Sequence, residues 1–323
     1  TTADSKVTHA KSGRSLRYGE LAEKAATRSL PDKPALKATK DFKLIGQSPA
    51  RLDIPAKVDG TAQYGMDIHL PGMKVATLTM APARGGKLTG LDDKPALAVK
   101  GVEKVLRLDD AVVVVANGYW PALKGLRALT PQFSDGGHGD LSSATIFAAQ
   151  DKLRAADKPG KSHTSGDAAA ALAGAAGKKL EAVYRVPFVH HAMMEPLAAT
   201  AQLKDGKLEL WIGLQDPLAT RTKAAKAAGI GFDDVTLHPL IMGGGFGRRF
   251  PDKCEIIEQI VAVAKAVDGP VKLIWSREEE LRHGAYRPQV SAGVKAALDG
   301  QGRLAAWAMD YVQSEDSEGE TRF

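Results

Sequence analysis

Apolar residues in this chain fall mostly into short runs separated by glycine, proline and aspartate, and one longer run has helical spacing. That run is residues 255–267, where Ile256, Ile257, Ile260, Val261, Val263, Ala264 and Val267 make a broad apolar face. Asp268-Gly269-Pro270 closes it, and residues 271–275 follow as a buried strand. Residues 102–108 and 111–116 read as a hairpin across Asp109-Asp110, and residues 290–298 and 304–312 as another across residues 299–302. Residues 180–186 alternate as a strand does, residues 208–213 follow an Asp205-Gly206 turn, and residues 235–241 lead into a glycine-rich loop. Strands are also expected over residues 62–68 and 74–80, joined by Pro71-Gly72.

Further helices are expected where polar caps precede apolar spacing. They are a helix capped by Ser15 that runs to about residue 28, residues 95–99, residues 120–129, a helix capped at Ser142-Ser143 that runs to Ala155, and residues 220–228 ended by Gly229. Residues 51–60 read as turns, residues 158–166 as a polar turn-rich stretch, and the run Glu278-Glu279-Glu280 as the solvated first turn of a helix. Residues 167–177 are almost all alanine and glycine, which fits a short helix or a flexible connection equally.

Mixed short strands and helices imply an α+β protein, and 323 residues allow about two domains. We divide the chain into a peripheral segment and linker over residues 1–43, a compact α/β domain over 44–135, a connection over 136–178 and a second α+β domain over 179–323. The last of these stops just after a strand, as the middle part of a larger subunit would.

Composition narrows the function classes. No apolar run is long enough for a membrane-spanning helix, and the first residues lack the apolar core of a signal peptide. The location is therefore cytoplasmic, or periplasmic with a signal upstream. The net charge of +6 is spread along the chain, against the concentrated patch of a nucleic-acid binder. Cys254 is the only cysteine, so no disulfide and no cysteine-ligated cluster forms within these residues. It reads as a small buried residue at a helix start.

The candidate chemistry centres on Ile241-Met242-Gly243-Gly244-Gly245-Phe246-Gly247-Arg248-Arg249-Phe250. Glycine permits positive φ and close approach of the backbone, so such a loop can aim N–H groups at an anion or an oxo ligand. It is no dinucleotide fingerprint, because Arg248 stands where the third glycine belongs, and no Gly-Lys-Ser/Thr follows as in a phosphate-binding Walker loop. A plain tight turn with a solvated basic end fits the stretch equally. His190 and His191 with Glu195 suggest a metal or acid–base site, but neighbours on an extended strand face opposite sides, and packing roles are preferred. Gln215, just past a strand end and before a proline turn, reads either as a ligand-facing amide or as an exposed loop residue.

In combination the segments are more specific. Tyr184-Arg185-Val186-Pro187-Phe188, His190-His191-Ala192-Met193-Met194-Glu195-Pro196, Gly213-Leu214-Gln215-Asp216-Pro217 and the glycine loop occur in an order and spacing that resemble the molybdenum-binding subunit of the xanthine dehydrogenase and aldehyde oxidase family, in its isoquinoline 1-oxidoreductase beta-subunit branch. Pro270-Val271-Lys272-Leu273-Ile274-Trp275 and Tyr286-Arg287-Pro288 extend the likeness, and residues 51–65 resemble the opening of the family's hammerhead α/β domain.

The resemblance implies a molybdopterin cofactor with molybdenum, in the cytosine dinucleotide form, used to oxidise an aldehyde or hydroxylate an N-heteroaromatic compound with water as oxygen donor. It implies that Gln215 faces the apical ligand of molybdenum, and that Gly244, Gly245, Phe246 and Gly247 bring backbone to that ligand and the pterin, with no side chain ligating the metal directly. It also implies a small partner subunit carrying two 2Fe–2S iron–sulfur clusters, a cytochrome c or other electron acceptor, the remainder of the large subunit, and a general-base glutamate outside this chain. Arg248 and Arg249 depart from the purine-oxidising pattern, and Arg248 is expected to line the substrate pocket or meet a phosphate. Two alternatives stay open: a non-catalytic scaffold or assembly portion of such a complex, and a phosphate- or nucleotide-binding module.

Overall fold

The computed structural model describes residues 1–156 and 162–314. The chain divides into two compact units, residues 1–60 and 61–323. In the first, β1 (Thr2–Ala3), β2 (Lys6–Thr8) and β3 (Ser15–Arg17) form a small antiparallel sheet followed by α1 (Tyr18–Ala26). Ser15, expected as a cap, lies in β3 instead, and α1 begins where the Glu20 carboxylate accepts the Arg17 N–H at 2.6 Å. The stretch expected as turns holds α2 (Ile54–Val58), with the fixed φ of Pro55 in its first turn. Neither helix buries a residue.

The second unit is built on β4 (Lys74–Met80), β5 (Leu88–Gly90), α3 (Lys94–Leu97), β6 (Val102–Arg107), β7 (Ala111–Ala116), α4 (Tyr119–Arg127) and β8 (Gln132–Phe133). It continues with α5 (Ser143–Ala155), α6 (Ala168–Gly174), β9 (Lys179–Val186), β10 (Ala198–Lys204), β11 (Lys207–Ile212), α7 (Pro217–Ala228) and β12 (Val235–Pro239). It ends with α8 (Ile256–Ala266), β13 (Val271–Ile274), α9 (Arg277–Arg282), β14 (Val290–Leu298) and β15 (Leu304–Gln313). The alanine-rich stretch left open by its composition is helical in α6, where Asp167 caps the Ala170 N–H. The expected polar stretch at 158–166 lies partly outside the described residues.

Seven strands form one mixed sheet in the order β12-β11-β10-β13-β4-β7-β6. The contact of β13 with β4 is parallel, Val271 opposite Lys74 and Ile274 opposite Thr77. This pairing puts β4, β6 and β7 in one sheet with β10 to β13, so a single sheet spans segments that the sequence reading assigned to two domains. β7 is buried at every position, which its uninterrupted run Ala-Val-Val-Val-Val-Ala allows. α8 lays Ile256, Ile257, Ile260, Val261, Val263 and Ala264 on the sheet, in a core shared with Leu208, Leu210, Ile212, Leu273 and Trp275. A smaller cluster, Ala96, Val112, Val114 and Leu129, fills the other side under α3 and α4. A separate antiparallel sheet, β15-β14-β9, carries α5 and α6.

Two expectations are corrected here. Residues 62–68 form no strand; the Asp67 carboxylate takes the Tyr64 N–H at 3.0 Å and closes a short 3₁₀ turn over Gly65–Asp67. The Glu278-Glu279-Glu280 run is only partly solvated. Glu279 and Glu280 are buried, and Glu279 accepts from the Thr79 hydroxyl at 2.8 Å and the Met80 N–H at 3.1 Å. β4, two hundred residues earlier, gives the Glu279 carboxylate its place inside, and Arg277 pairs with that of Glu280.

Candidate functional site

Two strand ends position the site. β11 ends at Ile212, and the chain turns through Gly213 and Leu214 to Gln215, where Asp216 caps α7 by accepting the Ala219 N–H at 3.0 Å. β12, parallel to β11, ends at Pro239, and the glycine loop returns beside Gln215. The Gln215 N–H donates to the Arg249 carbonyl at 3.2 Å. Its side-chain oxygen accepts the N–H groups of Gly247 at 3.0 Å and Arg249 at 3.2 Å. Two N–H donors can face only the amide oxygen, so the orientation of the Gln215 amide is determined. Its Nε2 is left without an acceptor among the described residues.

The other end of the loop is tied by Glu195. Its carboxylate accepts from the Gly243 N–H at 2.8 Å, the Gly65 N–H at 2.9 Å and the Arg249 guanidinium at 3.0 Å. Its own N–H donates to the Gly243 carbonyl at 3.1 Å. Arg249 is fully buried and also donates to the carbonyls of Gly213 and Glu195, at 3.1 Å and 2.9 Å. One buried carboxylate and one buried guanidinium thus hold together a strap, a strand end and the loop. Glu195 has a structural role and is no free acid or base, but its partners lie 48, 54 and 130 residues away, and no local pattern marks them.

Between these ties the loop is strained and open. Gly244 and Gly247 have φ of 109° and 101°, and Phe246 has φ of 55°, a region costly for a non-glycine residue. A Cβ on Gly245 would lie 2.9 Å from the Gln215 side-chain oxygen, and one on Gly243 would lie 2.5 Å from Glu195 Cβ. The N–H groups of Gly243, Gly247, Arg248 and Arg249 all have acceptors. Those of Gly244, Gly245 and Phe246 have none among the described residues. Three consecutive unpaired donors in backbone of mixed φ sign form a concavity suited to an anion or an oxo group. The Phe246 carbonyl is held by the Arg287 guanidinium at 2.8 Å, while its ring is 63% exposed.

Arg248 is corrected. It is fully buried, donates to Glu255 at 2.8 Å and to the Lys253 carbonyl, and lies 5.6 Å from the centre of the Trp275 ring. With the guanidinium enclosed in this way, Arg248 neither lines an open pocket nor offers itself to a phosphate. The basic end of the loop is internal wiring. His190 is structural, as expected: it bonds the Glu280 carbonyl through Nε2 at 2.6 Å and accepts the Ala192 N–H on Nδ1 at 2.7 Å. His191 is turned elsewhere, toward Gly247. Cys254 is buried, and burial pushes its thiol up to about 11. No group of three or more His, Cys, Asp or Glu side chains among the described residues is placed to hold a metal ion.

Comparison with known proteins assigns this arrangement. Residues 152–315, half of the chain, match the family model of the molybdopterin cofactor-binding domain. The chain is similar to the isoquinoline 1-oxidoreductase subunit beta of Brevundimonas diminuta, 33% identical over 276 residues, which cover 82% of this chain and 35% of that protein. It is also similar to the membrane-bound aldehyde dehydrogenase (pyrroloquinoline-quinone) of Gluconacetobacter polyoxogenes, 32% identical over 317 residues, covering 93% of this chain and 40% of that protein. Its fold matches the crystal structure of quinoline 2-oxidoreductase from Pseudomonas putida 86, with a TM-score of 0.65 at 21% identity over 83% of this chain and 39% of that one. The chain thus spans well under half the length of each of these relatives. With its glycine loop and the match over residues 152–315, the chain belongs to the molybdopterin cofactor-binding domain family.

Proposed function

We propose that this chain is the cofactor-holding portion of a molybdenum hydroxylase that oxidises an aldehyde or hydroxylates an N-heteroaromatic compound with water as oxygen donor. The observation that carries the reading is the run of three unpaired N–H groups at Gly244, Gly245 and Phe246, in a loop fastened at both ends by Gln215 and Glu195. These residues fit a molybdopterin: fixed backbone donors, no Cβ at Gly244 or Gly245 to block approach, and the free Nε2 of Gln215 beside them. When bound, the molybdenum cofactor supplies a two-electron oxidation of the substrate carbon, with the new oxygen drawn from water. This chain orients the cofactor and meets developing negative charge with donors that need no reorganisation. Glu195 is committed to the loop, and on this reading the general base is a glutamate outside this chain.

On this reading the electrons leave through iron–sulfur clusters on a partner subunit; the single, buried Cys254 of these residues does not ligate one. The cytosine dinucleotide form of the pterin, a cytochrome c or other final acceptor, and the rest of the large subunit complete the proposed assembly. The test uses the full-length subunit purified with its partners. Metal and pterin analysis is expected to give molybdenum and molybdopterin at near one per complex, and substrate turnover in ¹⁸O-water to place the label in the product. Gly245→Ala is expected to lower pterin content and, because its methyl crowds the Gln215 side-chain oxygen, to lower the melting temperature of the cofactor-free protein slightly. A complex that turns over with pyrroloquinoline quinone and no molybdenum sinks the reading, as does an oxygen atom that comes from dioxygen.

A further inference from the structure

The histidine pair splits its two members between different tasks. Ala192 between them and the core has φ of 48°, a strained value for alanine, and His190 holds that turn by taking the Ala192 N–H. The consequence is a segment whose alternate residues meet the glycine loop. Positions that a Cβ would occupy lie 2.5 Å from Glu195 Cβ at Gly243, 3.5 Å from Met193 Cβ at Gly244 and 3.6 Å from His191 Nε2 at Gly247. Glu195 is hydrogen-bonded throughout and Met193 is fully buried in the core. His191 is the polar contact with a free atom: Nε2 is turned to the loop and has no hydrogen-bond partner among the described residues, while the buried Nδ1 lies beside the Ala285 backbone.

The surroundings favour a ligand that is polar or anionic. Arg287, Arg248 and His190 are the charged and titratable groups around the ring, and Arg287 also holds the Phe246 carbonyl. With burial they keep the imidazole below the usual histidine range, so at neutral pH it is an uncharged group able to donate or accept. We propose that His191 is a cofactor-contact residue, whose Nε2 makes a hydrogen bond to a polar or anionic atom of the pterin received by the Gly244–Phe246 N–H groups. This rests on the reading of the loop as a molybdopterin site.

The experiment compares the full-length complex carrying native His191, His191→Phe and His191→Gln. Molybdenum and pterin are measured per complex, and cofactor loss is followed over time in mild urea. His191→Phe is expected to release the cofactor about tenfold faster, the effect of losing about 1.4 kcal/mol of binding. His191→Gln, which restores a donor and an acceptor, is expected to retain it nearly as the native protein does. All three cofactor-free forms are expected to melt alike. Equal release from native and His191→Phe complexes overturns the proposal. So does equally fast release from both variants together with lowered melting of their cofactor-free forms, which is the signature of a packing role. A native complex without molybdopterin overturns the loop reading itself, a different result from either.

Discussion

At the residue scale, Glu195 is where the site is most sensitive. Its side chain is 8% exposed and its partner Arg249 fully buried, so truncation leaves a guanidinium inside without its counter-charge. Removing one member of such a pair costs about 3–5 kcal/mol. Glu195→Ala is expected to lower the urea midpoint by that order at unchanged slope, and Glu195→Gln, which still accepts from Gly65 and Gly243, by clearly less. His191 adds a pH dependence whose sign follows from burial, the first cause of its lowered value. The unfolded chain protonates near the ordinary 6.5 and the folded one only at lower pH, so below about 6.5 the unfolded state binds more protons. Its contribution is complete above that value and is lost as pH falls through it. Urea midpoints taken across that range are expected to fall less steeply for His191→Gln than for the native protein; parallel profiles would show that the ring protonates freely when folded. His190 and Cys254 could be read from the sequence as packing groups because the bland role requires only local context. Arg248 could not, since Glu255, Trp275 and the Lys253 carbonyl enclose it only once α8 and β13 come together.

At the element scale, the site depends on where strands stop and helices begin. α7 starts at Pro217 because Asp216 caps it and proline supplies the first-turn φ; this start fixes the direction in which Gln215 leaves β11. Asp216→Ala is expected to cost about 1 kcal/mol in chemical denaturation. It is also expected to speed hydrogen exchange at the Gly247 and Arg249 amides, which Gln215 holds. Unchanged exchange there would show that the cap does not steer Gln215. Elements with a strong period or a hard stop were legible: α8 by its isoleucine and valine face, the β14–β15 hairpin by Asp299-Gly300, α7 by Gly229 in the left-handed region. Residues 62–68 misled because their alternation resembles a strand, while Asp67 captures a backbone donor and closes a turn instead.

At the scale of the whole molecule, the sheet β15-β14-β9 has one face under α5 and the other uncovered among the described residues. Leu180, Ala182 and Tyr184 of β9 line up through Ala296, Val294 and Ala292 with Trp307, Met309 and Tyr311 of β15. Trp307 and Tyr311 are 52% and 57% exposed. A contiguous apolar surface of this kind drives association in water. Residues 1–323 expressed alone are expected to bind a hydrophobic dye and to self-associate with rising concentration. Trp307→Lys is expected to reduce both, read by dye fluorescence and by sedimentation. A native chain that stays monomeric and binds no dye would contradict this.

The sequence by itself determined what depends on neighbours along the chain: the helices and hairpins with a clear period, the burial of Cys254, and the presence of a glycine loop flanked by motifs of a molybdopterin subunit. Tertiary structure decided what depends on distant partners. It joined β4 to β13 in one sheet, placed Arg248 and Arg249 inside, and made Glu195 the fastening of the loop to Gly65, 130 residues away. It also left three N–H groups of the loop without acceptors among the described residues. The reason is that periodicity and turn chemistry act over a few residues, whereas a buried charge is stable only when folding brings its counter-charge and donors to it.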